Sequence, residues 1–337
     1  MITIPGVDPI FMWIGFLILV AIFLVLDLGV FNKKQHEVSV KEALVWTGVW
    51  FGVAMLFNLF IYLEFGSEKA MTFLGGYLLE KSLSIDNIFV IFLIFTSFRV
   101  EKKYQHKILF WGIVGAIFLR GLLIILGSAL VDKFHWIFYL FGAFLIYSAI
   151  HMVIKKDEDY DPHQSWIVRT IHKIVPVVKE HKKGNLFARQ NGRRAVTILF
   201  VALIVVEFSD VVFAFDSIPA IFGITTDPFI VFTSNIFAIL GLRSLYFVIA
   251  KIHDTFKYLS YGLALILTFI GVKMIIMDWV HISIGTSLIV VFSLLALSIV
   301  LSLIFGKKQT QLEQKKKNIK SKKAQTTKLK KTKKKTK

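Results

Sequence analysis

Residues 206–220 read VEFSDVVFAFDSIPA. Three carboxylates, Glu207, Asp210 and Asp216, interrupt a run otherwise apolar enough to cross a bilayer. Residues 80–89, EKSLSIDNIF, repeat the theme with Glu80 and Asp86. A carboxylate at mid-bilayer costs about 2.5–3.5 kcal/mol on insertion scales, so such residues face a cavity, a partner or an ion rather than lipid. The fold and the function both turn on what these five acids face.

The surrounding chain settles the solvent. Of its 337 residues 56% are hydrophobic and 33 are Phe, with a mean hydropathy of +0.69. Successive apolar blocks of about 20 residues indicate membrane helices. Barrel strands would instead alternate apolar and polar side chains at every second position. The net charge of +18 is local: residues 307–337 hold 15 Lys and one Glu and contribute +14 of it. That tail reads as a disordered cytoplasmic segment drawn to anionic lipid headgroups, with no nucleic-acid partner expected. The absence of Cys removes disulfides, thiolate metal sites and dithiol redox chemistry. The first apolar run lacks a basic leader and a small-residue cleavage site, so it is expected to be a retained helix.

About nine spans follow, at 10–31, 41–63, 71–98, 107–131, 135–154, 196–222, 229–250, 257–277 and 281–305. Lys and Arg concentrate in alternate loops, after spans 1, 3, 5, 7 and 9. The positive-inside rule then predicts an outer N-terminus and a cytoplasmic C-terminus. The one long loop, 155–194, opens with the acidic DEDYD at 157–161. Its WIVRTIHKIVPVV stretch predicts a short interfacial helix broken at Pro176. His163, His172 and His181 in that loop read as surface residues. Residues 1–306 thus form a transmembrane domain, with the Lys-rich tail at 307–337.

Two helix triplets, 71–154 and 196–277, resemble one another. Asp86-Asn-Ile-Phe-Val matches Asp210-Val-Val-Phe-Ala, and Phe118-Leu-Arg120-Gly-Leu matches Gly241-Leu-Arg243-Ser-Leu. His151 and Lys273 fall late in the third helix of each. The two triplets run in opposite directions through the membrane. The predicted fold is therefore an all-α polytopic membrane protein with an inverted three-plus-three helix repeat, an arrangement of secondary transporters.

At 1.5 Å per residue, Glu80 and Glu207 lie near mid-bilayer. Glu80, Ser84 and Asn87 share one helical face, as do Glu207 and Asp210. Asp216, nine residues past Glu207, falls on the opposite side of a straight helix. Pro219 predicts a break at 216–219 that would turn Asp216 back and bare carbonyl oxygens. Two structural alternatives stand beside a functional one. The acids would neutralise Lys81, Arg120, Arg243 and Lys273 in ion pairs, or would brace helices singly. Alternatively, carboxylates with Asn87, Ser84, Ser209 and Ser217 form a hard oxygen set for Mg²⁺, Ca²⁺ or Mn²⁺, with protons as a counter-ion. Asp27 reads as an interfacial acid or a minor pathway residue, and His151 and His281 as interfacial.

The pairing of EKSLSIDNIFV (80–90) with EFSDVVFAFDSIPAIFGITTDPFIVFTSNIFAILGLRSLYF (207–247) closely resembles the TerC family of bacterial integral membrane proteins. The resemblance covers about residues 10–305, and the long loop looks most like the family's Alx branch. It implies an inner-membrane protein related to the LysE-type exporters and an efflux activity toward Mn²⁺. Carried over by position, Glu80, Asp86 and Asn87 match the first acidic motif, and Glu207, Asp210 and Asp216 the second. The family is also described in terms of tellurium resistance and its Alx branch as a redox modulator; with no Cys and no cofactor motif in this chain, a direct redox role has no residue to carry it. The Lys tail is not part of the family pattern.

The expectation is an inner-membrane efflux transporter, not an enzyme, with Mn²⁺ ahead of Ca²⁺ and Mg²⁺ as its cargo and no permanently bound cofactor. Glu80, Asp86, Asn87, Glu207, Asp210, Asp216 and Ser217 would form the metal site, and Arg120, Arg243 and Lys273 would brace its charge. The alternative is a non-transporting stress-response or redox-modulating scaffold that recruits protein partners through the loop or tail. An intramembrane enzyme is weaker, since HExxH, GxSxG and Ser–His pairing are all missing.

Overall fold

A computed structural model of the chain describes residues 8–31, 39–154, 166–178, 184–190, 193–252, 259–302 and 304. The acidic 157–161 segment, His163, His181, the side chains of Asp27 and His172, and the 307–337 tail lie outside the described residues.

The protein is an all-α polytopic membrane protein. Its helices are α1 (Pro9–Phe31), α2 (Val40–Ser97), α3 (Lys102–Lys133), α4 (Ile137–Ile154), α5 (Trp166–Ile174), α6 (Ile198–Phe222), α7 (Pro228–Leu240), α8 (Leu242–Ile252), α9 (Leu259–Ile276) and α10 (Ile284–Ser302). Six described helices are long and apolar enough to cross a membrane, or seven if the bent pair α7–α8 is one span. A count of nine requires that α2 be two spans and that the shorter α9 be another. The 58 residues of α2 would extend about 87 Å if straight, nearly three bilayer cores. The chain breaks at Gly66 (φ 85°, ψ 176°), a conformation essentially reserved for glycine. Ser39 opens α2 by accepting from the Glu42 N–H at 3.2 Å.

Large apolar side chains point outward, among them Leu63 (70% exposed), Phe118 (72%) and Ile154 (76%). A surface of that kind belongs against lipid. Inside, Trp13 and Phe16 of α1 pack on Phe229 and Phe232 of α7, and Phe57 of α2 meets Phe237 with ring centroids 4.7 Å apart. This aromatic packing fixes α7 between α1 and α2.

Among the helices, α2 packs on α7 and α8, α3 on α6, and α4 on α9. At the α4–α9 crossing, a Cβ on Gly142 would sit 2.7 Å from the Gly271 carbonyl, and a Cβ on Gly271 2.7 Å from the Gly142 carbonyl. Only glycines allow that approach.

Three features differ from the sequence reading. First, α6 runs unbroken through Pro219 to Phe222. The proline lies in the last turn, where its missing N–H forfeits a single internal bond. Gly223 and Thr225 then close the end on the Pro219 and Ile221 carbonyls, at 3.0 and 2.9 Å. Second, the break falls in the next span: α7 and α8 meet at Gly241 with a 46° bend. Lys81 Nζ donates to the Ala238 carbonyl at 3.1 Å and satisfies the end of α7. Third, the long loop adds a three-stranded sheet, β1 (Val177–Val178), β2 (Phe187–Gln190) and β3 (Arg193–Thr197), ordered β1-β3-β2. Strands this short carry too little alternation to be read from sequence. The loop helix α5 ends at Ile174, two residues before Pro176. Strand β3 leads directly into α6, so the loop's position is tied to the acid-bearing helix.

Candidate functional site

Arg120, 1% exposed, lies at the centre of a polar network built from four helices. Its Nε and Nη2 donate to the two oxygens of Asp210 on α6, at 3.0 and 2.7 Å. Its Nη1 donates to Glu80 Oε1 on α2, and Glu80 is fully buried. Asn235 of α7 completes the ring: its Oδ1 accepts from Arg120 Nη1 at 3.2 Å, and its Nδ2 donates to Glu80 Oε2 at 3.1 Å. The planar guanidinium fits this role because its fork reaches two carboxylates and an amide at once. Two carboxyl groups thus share one guanidinium, while Lys81, next to Glu80 in sequence, directs its ammonium to the Ala238 carbonyl.

The remaining acids are placed separately. Glu207 lies one helical turn before Asp210, against α3 at Gly115, where any side chain would run into its carboxylate. Asp216 is half-buried on the face of α6 toward α4, and its Oδ1 accepts from Ser148 Oγ at 2.6 Å. The continuous α6 explains this, since without a break at Pro219 Asp216 does not turn back toward Glu207. Asp86 lies where α2 meets α9 and accepts from Ser260 Oγ at 3.3 Å. Along α6 the axial steps are about 4.5 Å from Glu207 to Asp210 and about 9 Å from Asp210 to Asp216.

Five acids in one cage are therefore not what the chain forms. Among the described residues, no three Asp, Glu or His come together as a metal-holding group. Of the neutral residues, Ser209 Oγ is taken by the Val205 carbonyl at 2.8 Å, and Asn87 is buried. Ser84 and Ser217 are buried with hydroxyls that have no hydrogen-bond partner. Of the three bracing cations, Arg120 holds two acids and Arg243 is buried on α8, which packs on α2. Lys273 donates to the Gly223 carbonyl at the end of α6 (3.0 Å) rather than to a carboxylate. His151 stacks on Tyr147 at 5.9 Å and His281 is exposed.

The sequence reading missed Asn235 and Ser148. An Asn inside FIVFTSNIFAIL was a usable signal, because an amide in a span needs partners. Ser148 gave no such signal, since a serine can satisfy itself on its own helix.

The fold and the network define a polytopic helical membrane protein with a buried cluster of two carboxyl groups, a guanidinium and an amide shared between four helices. The profile of the integral membrane protein TerC family matches residues 65–311. The chain is 46% identical over 302 residues to membrane protein STKORF319 of Myxococcus xanthus, covering 90% of this chain and 95% of that one. It is 42% identical over 300 residues to a protein of Escherichia coli K12 named "Putative membrane-bound redox modulator Alx", covering 86% and 94%. A membrane protein of Rickettsia bellii is 42% identical over 292 residues, covering 87% and 97%. No solved structure matches. The chain belongs to the TerC family of integral membrane proteins.

Proposed function

We propose that this chain is an inner-membrane exporter of a hard divalent cation, Mn²⁺ ahead of Ca²⁺ and Mg²⁺, with its N-terminus outside and its C-terminus in the cytoplasm. The observation that carries the reading is Arg120, a tethered cation held between Glu80 and Asp210 with Asn235 closing the ring. Glu80 is already fully buried, Asp210 largely so, and both are positioned, which is the larger part of the cost of a buried cation site. A divalent ion that replaced the guanidinium would gain hard oxygen ligands from Glu80 and Asp210. The orphaned hydroxyls of Ser84 and Ser217 are spare oxygens of the same kind on the two acid-bearing helices. Return of Arg120 to its carboxylates would favour release. Protons taken up by the acids would serve the same exchange from the other side. A thiol-based redox role, suggested by the name of the E. coli relative, has no residue to perform it, because the chain has no Cys.

The test is Mn²⁺ uptake into inside-out vesicles under an imposed pH gradient, with Ca²⁺ and Mg²⁺ as competitors. Asp210→Asn and Asp86→Asn are expected to insert normally and to lose uptake. Wild-type uptake by both variants, or loss of function only on deleting the loop or tail, would favour the scaffold reading instead.

A further inference from the structure

Helix α5 runs alongside α6. Its first residue, Trp166, meets Phe208 edge to face with ring centroids 5.7 Å apart. Just beyond its last turn, strand β1 pairs with Val196 and Thr197 at the start of α6. The helix therefore leads from the level of Phe208 back to the N-terminal end of α6. Between α3, α5 and α6 lies an open groove of about 320 Å³, walled by Leu119, Trp166, Thr170, Ile204, Phe208 and Val211. It presents no polar surface. The Thr170 hydroxyl is turned to the Trp166 carbonyl at 2.8 Å, and the Glu207 carboxyl is packed against Gly115 of α3.

The exposed edge of α5 differs from the groove. Arg169 and Lys173 are exposed, one turn apart, and fall three and seven residues after Trp166, which puts them on its side of the helix. The α5 sequence WIVRTIHKI contains no acid to neutralise them. Trp166 and Ile174 are exposed beside these cations. Lys173 lies about 10 Å along α5 from Trp166, toward the start of α6. Hydrocarbon lining and positive charge are thus ordered along α6 as the chain and headgroup of a lipid are ordered. An aromatic residue and long basic side chains at one edge suit the boundary between acyl chains and headgroups. A basic edge beside a groove between membrane helices recognises an anionic headgroup. We propose that the α3–α5–α6 groove holds an acyl chain of an anionic phospholipid whose phosphate is bound by Lys173 and Arg169. A zwitterionic lipid fills the groove equally well but brings its own cation to theirs, so the site selects net negative charge. The inference does not require divalent transport, and the proposed topology serves only to name the leaflet as cytoplasmic.

The test is native mass spectrometry of the full chain equilibrated with equimolar phosphatidylglycerol and phosphatidylcholine of the same acyl chains. Retention of phosphatidylglycerol over phosphatidylcholine by about tenfold is expected. Lys173→Gln should reduce that preference about fivefold, and adding Arg169→Gln should remove it. The Lys-rich tail is the same in every variant, so these differences report the groove. Ile204→Trp fills the groove and leaves both cations in place, and it should lose the retained lipid. Leu119→Trp does the same from α3 and covers the case in which Ile204→Trp fails to fold. Asp210→Asn is expected to keep the phosphatidylglycerol while losing divalent uptake, so the two readings fail separately. Equal retention of the two lipids by the wild type would overturn the proposal. Wild-type preference in the variant lacking both cations would do the same, as would retention by both groove-filling variants.

Discussion

Arg120 decides the energetics of the buried network. Removing one partner from a buried charge cluster costs about 3–5 kcal/mol, because it strands the opposite charge rather than because the pair was worth that much. Arg120→Ala is therefore expected to destabilise the protein by about that amount, with Glu80 and Asp210 left facing each other. Adding Asp210→Asn to it should recover part of the loss, since one stranded charge disappears with the substitution. Arg120→Lys should fall between wild type and Ala, because a single ammonium cannot serve Asp210 in two places and also reach Glu80 and Asn235. Thermal unfolding of the four proteins in detergent checks the order. A double variant less stable than Arg120→Ala would refute it. The charged half of this network was legible because Glu80, Arg120 and Asp210 are charged residues inside apolar spans. Which acid meets which cation was not legible, since that depends on the rotation of four helices about their axes.

Elements explain why five acids read from sequence as one site lie apart in the fold. Pro219 reads as a helix break, yet in the last turn of α6 it costs one bond that the following residues largely replace. Gly241 carried a weaker signal, but there the chain bends 46° and Lys81 closes the free carbonyl end. Both depend on distance from a helix end and on a partner far along the chain, which local pattern does not encode. The apolar helical segments, by contrast, were legible, and the reciprocal contact of Gly142 with Gly271 shows how closely α4 and α9 meet. Each glycine faces the other's backbone, which cannot move aside as a side chain can. Gly142→Ala and Gly271→Ala are each expected to separate α4 from α9 and to lower stability by about 1–3 kcal/mol, the range for overpacking. The double variant should cost less than the sum, because the first methyl group already opens the crossing. Additive losses in thermal unfolding would mean that the helices do not move as one contact.

Across the whole molecule, the seam between α2 and α7 reads as a path toward Arg120. At one end Lys69 Nζ meets Asp227 Oδ2 at 3.3 Å, while Asp227 also caps α7 by accepting from the Phe229 N–H at 3.1 Å. Further along, Ser234 lies against Gly76, and then Asn235 joins Glu80 in the network. Between that end of the molecule and the buried ring lie the ion pair, the buried residues 229–233 of α7 and a close helix contact. On the proposed topology this end faces outward. An exporter must open it, and a partly exposed ion pair of this kind is worth about 1 kcal/mol or less. Lys69→Ala keeps the Asp227 cap and removes only the pair, so it should shift the population toward the outward-open form by a few fold. The cysteine-free chain gives a clean reporter, because Ser234→Cys would be its only thiol. Labelling of that thiol by a membrane-impermeant maleimide in right-side-out vesicles is expected to be about two- to fivefold faster with Lys69→Ala than without it. Equal labelling rates would place the closing contact elsewhere, most directly in the aromatic packing of Trp13 and Phe16 on Phe229 and Phe232.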